Sequence, residues 1–128
     1  GANMGFTAGE PWLPLAIEHA GLSAASQDAA ADSTLAFSRA LLALRRDTPA
    51  LIVGDLEMIS APEPILAFIR REGGQQVACL FNMGPAPAVF GDERLAGAAI
   101  LAPGAGEARL DGAALHMGAH SARFLRLA

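Results

Sequence analysis

The chain has 128 residues, a formal net charge of −4 and one cysteine, with 52% apolar and only 17% charged residues. Basic residues adjoin only at Arg45-Arg46 and Arg70-Arg71, so no basic patch suits a phosphate backbone, and nucleic acid is excluded as an expected partner. No apolar run approaches the roughly 18 residues of a membrane-spanning helix, so no membrane partner is expected either. With one cysteine, no internal disulfide can form.

The first segment, Gly1 to Asp32, is rich in Gly, Pro, Ala and Ser and has no sustained period, apart from a short helical turn expected within Leu15 to Ala20. It is therefore predicted to be a long loop. Such loops are uncommon in compact domains and are usually functional or ordered by a neighbour. The segment also starts without a methionine and reads like the middle of a larger protein, so we expect the chain to be a fragment.

The next segment carries the strongest helical pattern in the chain. Asp32 or Ser33 supplies an N-cap oxygen, and apolar residues follow at helical spacing. Two arginines suit the negative end of the helix dipole, and Pro49 disfavours helical geometry just before it, so the helix should end near Asp47. The apolar stripe is wide, which predicts cover on more than one side. It comprises Leu35, Phe37, Ala40, Leu41, Leu42 and Leu44.

After Pro49 the apolar residues recur at every second position, in short runs that are separated by Gly, Pro and Asp. This pattern predicts an antiparallel sandwich or barrel. The firmest local prediction is a hairpin across Gly73-Gly74, because glycine tolerates the positive φ of a tight turn. Cys79 lies in an apolar alternation, which favours a buried thiol over a reactive one. The predicted strands are Ala50 to Val53, Asp55 to Ser60, Ile65 to Arg71, Gln75 to Asn82, Ala88 to Phe90, Ala98 to Ala102, Ala113 to Met117 and Ser121 to Leu127.

Three stretches, in this order, carry a resemblance to a known family. The segment Asn3-Met4-Gly5-Phe6-Thr7-Ala8-Gly9-Glu10-Pro11-Trp12-Leu13-Pro14 resembles the loop before the last barrel helix of alpha-glucosidases of the alpha-amylase superfamily. The helix from Asp32 to Arg46, followed by Thr48-Pro49-Ala50-Leu51 and Gly54-Asp55, is similar to that last helix and its exit. Leu80-Phe81-Asn82, a proline-containing turn and Ala88-Val89 resemble a strand, turn and strand of the family's C-terminal β-domain.

The resemblance implies a mainly β chain, an antiparallel β-sandwich (Greek-key C-terminal domain) preceded by a loop and one helix like the last helix of a (β/α)8 barrel. Residues 1–48 would be the loop and last helix of the catalytic barrel, and residues 49–128 the C-terminal β-sandwich domain. Within this scheme Gly1 to Asp32 follows the eighth barrel strand. Chemistry in such barrels lies on these βα loops, so Phe6 and Trp12 become the candidates for sugar contact.

The function implied by the resemblance is that of a non-catalytic C-terminal segment supporting the barrel of a retaining glycoside hydrolase that cleaves terminal alpha-glucosidic bonds. Its partner would be the missing catalytic barrel, and it would meet an alpha-glucoside substrate only through the parent protein. The catalytic acids would lie upstream, so the fragment alone is expected to be inactive. No cofactor is expected, and the expected location is cytoplasmic.

The residues themselves offer no catalytic group. A retaining glycosidase needs two carboxyl groups roughly 5 Å apart across the scissile bond. Asp55 and Glu57 share one face of a predicted strand, but as exposed like-charged neighbours rather than a catalytic pair. The glycines of Pro103-Gly104-Ala105-Gly106 lack the Lys-Ser/Thr of a phosphate loop and predict a turn. No metal site is expected, because the histidines have no ligand-spaced partners; they are His19, His116 and His120.

Two alternatives remain open. An independent carbohydrate-binding β-module would need a platform of exposed aromatic rings. The chain has only one Trp, no Tyr and six Phe, which argues against such a platform. A structural interaction domain would form a stable oligomer that buries the stripe of Phe37, Leu41 and Leu44. In the isolated chain, this stripe should either fold back on the sandwich or form a homo-oligomer, since exposing large apolar side chains forgoes about 1.5 to 3 kcal/mol each.

Overall fold

The fold is taken from a computed structural model that describes residues 2–5 and 7–128. Two compact units divide the chain, Gly1–Ala40 and Leu41–Ala128. The boundary falls inside a helix, so each unit contains one end of that helix.

The first unit is built of short helical pieces rather than one continuous loop. It contains a turn at Ala2–Gly5, in which Asn3 and Met4 have positive φ of 49° and 56°, a 3-10 turn at Ile17–Leu22, and a short helix α1, Ala24–Asp28. The turn expected within Leu15 to Ala20 is thus present but starts and ends later. The Ser23 side chain caps α1 by accepting a hydrogen bond from the Ser26 amide at 3.2 Å. This local cap favours α1 in a segment without apolar periodicity, whereas the turn at Ile17–Leu22 has no side-chain cap.

Helix α2 spans Thr34–Arg46, as its apolar spacing predicts. Ser33 is the residue that caps it, since its Oγ accepts a hydrogen bond from the Ala36 amide at 3.1 Å. After a turn at Asp47 the chain forms another short helix, α3, at Pro49–Ile52.

The strand predicted over Ala50 to Val53 is therefore wrong, because most of this run belongs to α3. Pro49 stands at the start of this helix, where its fixed φ is compatible with helical geometry and its missing N–H is not needed. The Ala50 amide donates to the Gln75 side chain at 3.0 Å, which ties α3 to the sheet. Periodicity cannot separate a short buried strand from a short buried helix.

The second unit is an antiparallel β-sandwich, which confirms the expected mainly β fold. One sheet has five strands in the order β1-β2-β3-β8-β5, and the other has three in the order β4-β7-β6. The strand β6 was not predicted from the sequence. The strands are β1 Asp55–Met58, β2 Ile65–Glu72, β3 Gln75–Asn82, β4 Ala88–Gly91, β5 Ala99–Ala105, β6 Ala108–Asp111, β7 Ala114–Met117 and β8 Ser121–Arg126.

The hairpin between β2 and β3 turns at Gly73-Gly74, as predicted. Glu72 pairs with Gln75, so the loop has two residues. Both glycines have positive φ, 53° and 83°. This is the geometry that matches the right-handed twist of paired strands, and it favours glycine at both positions.

The five-stranded sheet is apolar on both faces, as the side chains of β3 illustrate. Ala78 and Leu80 point to the three-stranded sheet and lie in the main core, whereas Val77 and Cys79 point the other way. All four are buried. The main core consists of Ile65, Ala67, Ile69, Ala78, Leu80, Phe90, Leu95, Leu115, Met117 and Leu125.

The outward face of the five-stranded sheet, away from β4, β6 and β7, is covered partly by helix. Ala50 and Leu51 of α3 are buried against it, and Leu44 of α2 packs on the same cluster. The chain passes from α3 into β1 through Gly54, where an added Cβ would lie 2.4 Å from the Ala50 carbonyl oxygen and 2.7 Å from that of Arg71. Glycine is therefore required for α3 to sit this close to the sheet.

A buried asparagine joins the two sheets at one end of the sandwich. The Asn82 Nδ2 donates to the carbonyl oxygens of Ala86 and Gly118, both at 2.8 Å. Its Oδ1 accepts from the Gly84 amide at 3.0 Å. One side chain at the end of β3 thereby fixes both the turn into β4 and the loop between β7 and β8.

We predict that Asn82→Ala lowers the free energy of unfolding by about 2–4 kcal/mol, because it leaves an amide and two carbonyls in a buried region without this partner. Urea denaturation of the purified chain measures the change. Met83→Ala is the matched control: this neighbouring side chain is exposed, and its loss should cost less than about 0.5 kcal/mol. Equal effects of the two substitutions would contradict the role given to Asn82.

Candidate functional site

The two residues predicted to contact sugar fall in the first unit. Phe6 lies outside the described residues. Trp12 is 87% exposed and, with Pro11, Leu13, Pro14 and Leu15, borders a hollow of about 190 Å³. The aromatic face is therefore accessible to a ligand or to a protein partner, and contact with a sugar stays a prediction.

The carboxylate Glu57 is held by arginines rather than paired with Asp55. It forms ion pairs with Arg71 and, at 3.2 Å, with Arg94. Arg94 also binds Asp92 at 2.6 Å, so one guanidinium joins strand β1 to the segment that follows β4. Hydrogen bonds from Arg94, opposed by partial burial, lower the pKa of Asp92. A general acid needs a raised pKa to hold its proton near neutrality, so this cluster is suited to cross-linking rather than acid catalysis.

A cleft of about 380 Å³ crosses the outer face of the three-stranded sheet. His116 stands in its middle row, between Val89 on β4 and Arg109 on β6. Arg109 already pairs with Asp111 at 2.9 Å. The lining contains no Phe, Tyr or Trp, so the cleft has no platform for a sugar ring.

The remaining histidines do not complete a metal site in the described part of the chain. His120 is exposed in the loop before β8, and the His19 side chain is outside the description. Among the described residues no group of three or more His, Cys, Asp and Glu is arranged to hold a metal ion.

Cys79 is buried in β3, as predicted. Burial raises the pKa of its thiol to about 12, against a smaller lowering by Arg70. The thiol borders a cavity of about 240 Å³ between the end of α2 and the outward face of the five-stranded sheet. The cavity is lined by Leu41, Leu42, Arg45, Leu51, Phe68, Arg70, Cys79 and Phe124.

The outward face also carries an apolar area that helix does not cover, and sequence reasoning missed it. Leu56 and Met58 on β1 are 55% and 58% exposed, and Leu66 on β2 is 41% exposed. Leu56 and Met58 stand opposite Arg70 and Phe68 of β2, so all these side chains share one face. We call Leu56, Met58 and Leu66 the open patch. The signal was the alternation of Leu56 and Met58 with the two acidic residues of β1.

Among the described residues, no helix is long and apolar enough to cross a bilayer.

Relatives of known sequence and structure match this chain over a part of their length. A probable alpha-glucosidase of Rhizobium meliloti (strain 1021) is 38% identical over 79 residues, which cover 62% of this chain and 14% of the relative. A probable oligo-1,6-glucosidase 2 of Bacillus subtilis (strain 168) is 28% identical over 91 residues, or 70% of this chain and 16% of the relative. No family profile matches the chain.

Among solved structures, the alpha-glucosyl transfer enzyme XgtA superposes with a TM-score of 0.85 and 34% identity, over 97% of this chain and 23% of that one. The fold is thus that of the C-terminal domain of alpha-amylase-family enzymes. The resemblance to the alpha-glucosidases is confirmed, and the chain is a partial relative of these enzymes. It spans 14–23% of the length of the three proteins.

We predict that Asp92→Asn destabilises the chain by about 0.5–1 kcal/mol at pH 7, since the amide keeps the shape but loses the charge that pairs with Arg94. The folded-state pKa of Asp92 is lowered. Its ionic contribution is therefore present above the unfolded-state pKa, near 3.9, and is lost as the pH falls through the lower folded value. Urea denaturation from pH 7 down to pH 2.5 should show the two proteins converging below about pH 4.

The matched control is Asp111→Asn, which removes a carboxylate from an ion pair whose two side chains are both 65% exposed. It should change stability by less than about 0.5 kcal/mol at either pH. A deficit in Asp92→Asn that is as large at pH 2.5 as at pH 7 would contradict the electrostatic origin.

We also predict that the Cys79 thiol of the native chain reacts with a disulfide reagent at pH 8 at least about a hundred-fold more slowly than in guanidinium chloride, because burial suppresses both access and thiolate formation. The released chromophore measures the rate. Native and unfolded chains reacting equally fast would show that β3 is open to solvent.

Proposed function

We propose that this chain is the non-catalytic C-terminal part of an alpha-glucosidase-like glycoside hydrolase and that it supports the catalytic barrel. The open patch is the observation that carries this proposal. Three large apolar side chains on one sheet face, next to a helix-covered area of the same face, are typical of a surface that another part of the protein covers.

The free energy gained by burying the open patch is large enough to stabilise a docking contact. Fully burying a Leu or Met side chain contributes about 1.5–3 kcal/mol, and the members of the open patch are roughly half exposed. Covering all three therefore contributes about 2–4 kcal/mol. Trp12 and Leu13 of the first unit are exposed as well and would gain in the same way from a neighbour.

The chemistry of the parent enzyme would come from outside this segment. The acidic cluster of the second unit holds Glu57 and Asp92 in ion pairs with Arg94, which keep the carboxylates ionised and so do not suit a proton donor. The curated relatives are named as glucosidases, and this supports terminal alpha-glucosides as substrates. Phe6 and Trp12 remain the residues proposed to reach the sugar.

A cytoplasmic location is part of the proposal and is supported by the unpaired Cys79.

An independent carbohydrate-binding module fits the structure less well. Phe68, Phe81 and Phe124 lie on one sheet face, but they pack on each other with ring centroids 5.9 and 6.0 Å apart. All three are half-buried in the cluster with Leu44. Their faces are therefore used in packing instead of forming a platform for sugar rings. Self-association of the isolated chain through the open patch is the alternative that the exposed side chains favour.

The test uses a chimera in which this chain replaces the matching segment of the Rhizobium meliloti relative. We predict that the chimera folds as one protein and hydrolyses p-nitrophenyl alpha-glucoside, and that the 128-residue chain alone does not. The double substitution Leu56→Glu, Met58→Glu should destabilise the chimera by about 2 kcal/mol or more, because it places charge in the covered surface. In the isolated chain the same double substitution should change the free energy of unfolding little, because the open patch is already exposed to solvent there.

Val89→Glu is the matched control, since Val89 is 52% exposed on the outer face of the other sheet. It should leave the stability of the chimera unchanged. Hydrolysis by the isolated chain, free of contaminating enzyme, would contradict the division of labour, and equal effects of the Val89 and open-patch substitutions would contradict the docking surface.

A further inference from the structure

The cavity beside Cys79 combines an apolar interior with two positive charges. Leu41, Leu51 and Phe68 contribute to its apolar wall. Leu42, which also lines it, is 65% exposed, so the cavity opens to the surface. The charged residues in the lining are Arg45 and Arg70.

Both arginines are positioned by backbone carbonyls. Arg45 donates to the carbonyl oxygen of Leu51, and the Arg70 Nε donates to that of Gly54 at 3.0 Å. These bonds hold the guanidinium groups at the cavity but do not neutralise their charge.

The cavity brings together two of the four arginines that have no carboxylate partner among the described residues; the other two are Arg123 and Arg126. Arg39, Arg46, Arg71, Arg94 and Arg109 each pair with a carboxylate of the chain. Within the described residues, no carboxylate forms an ion pair with Arg45 or Arg70. The chain carries a net charge of −4 and thus has acidic residues in excess. A cation that is desolvated by a covering surface is costly unless that surface supplies an anion.

We propose that this cavity is a socket for an apolar side chain with a carboxylate next to it, presented by the catalytic portion of the enzyme. The inference rests on the proposed function and names the chemistry of the docking contact. The cavity adjoins the open patch, because Phe68 lines the cavity and stands opposite Met58. The relatives are several-fold longer than this chain, so they have ample remaining length for the segment that this proposal requires.

A zero-length crosslink can detect the carboxylate directly. The chain contains no lysine, so Arg45→Lys and Arg70→Lys each introduce a single amine side chain at the cavity. In the chimera described above, carbodiimide should join this amine to an Asp or Glu of the catalytic portion, and peptide mass spectrometry identifies the joined residues. Arg46→Lys is the matched control, because Arg46 neighbours Arg45 on α2 but pairs with Asp47 and does not line the cavity.

The isolated chain tests the same chemistry without the catalytic portion. Hexanoate provides an apolar chain with a carboxylate, and hexanol provides the same chain without charge. We expect hexanoate to shift the amide resonances of Leu42, Leu51 and Phe68 and to bind at least five-fold more tightly than hexanol. Arg45→Met combined with Arg70→Met should abolish this preference, whereas Arg46→Met should keep it.

The outcomes separate the two proposals. An assembled, active chimera that gives no crosslink from either cavity position overturns the socket and leaves the proposed function standing. A chimera that fails to assemble contradicts the proposed function and, with it, the source of the carboxylate. Equal binding of hexanoate and hexanol, or a preference for hexanoate that survives loss of both arginines, overturns the charge complementarity.

Discussion

The five-stranded sheet is apolar on both faces, and the rest of the structure follows from the need to cover both. On one face β4, β6 and β7 supply a complete second layer and the main core. On the other, α3 and the end of α2 cover the middle of the sheet but leave Leu56, Met58 and Leu66 exposed. One face of the sheet is thus only partly covered, and this asymmetry links the fold to its proposed supporting role.

The second layer depends on polar contacts as much as on apolar packing. Asn82 stands where β3 ends, and its amide organises the turn into β4 and the loop before β8. At the β1 edge, Arg94 connects Glu57 to Asp92 across the same sandwich. Directional bonds of this kind fix the position of one sheet over the other, which non-directional hydrophobic contacts alone would leave loosely specified.

Much of the sandwich could be predicted from the sequence because its strands alternate cleanly and its turns use glycine. The bounds of β3 are those of the predicted strand Gln75 to Asn82. The prediction failed at α3, where a short apolar run fits either helix or strand, and at β6, where Arg109 and Asp111 are exposed and leave too little apolar signal. The open patch was encoded in the alternation along β1, but whether a face is covered depends on distant elements. The cavity joins residues from α2, α3, β2, β3 and β8, and local patterns carry no record of it.

The pairing of β3 with β8 has a consequence for how this protein is made. Four strands separate these neighbours along the chain, while β2 and β3 are joined by only two glycines. The β2–β3 hairpin can therefore form early during synthesis, but the hydrogen-bonding edge of β3 stays unpaired until Ser121–Arg126 has left the ribosome. During that interval the nascent polypeptide exposes an unpaired strand edge that can pair with other chains. This is the stage at which chaperones protect it most from aggregation.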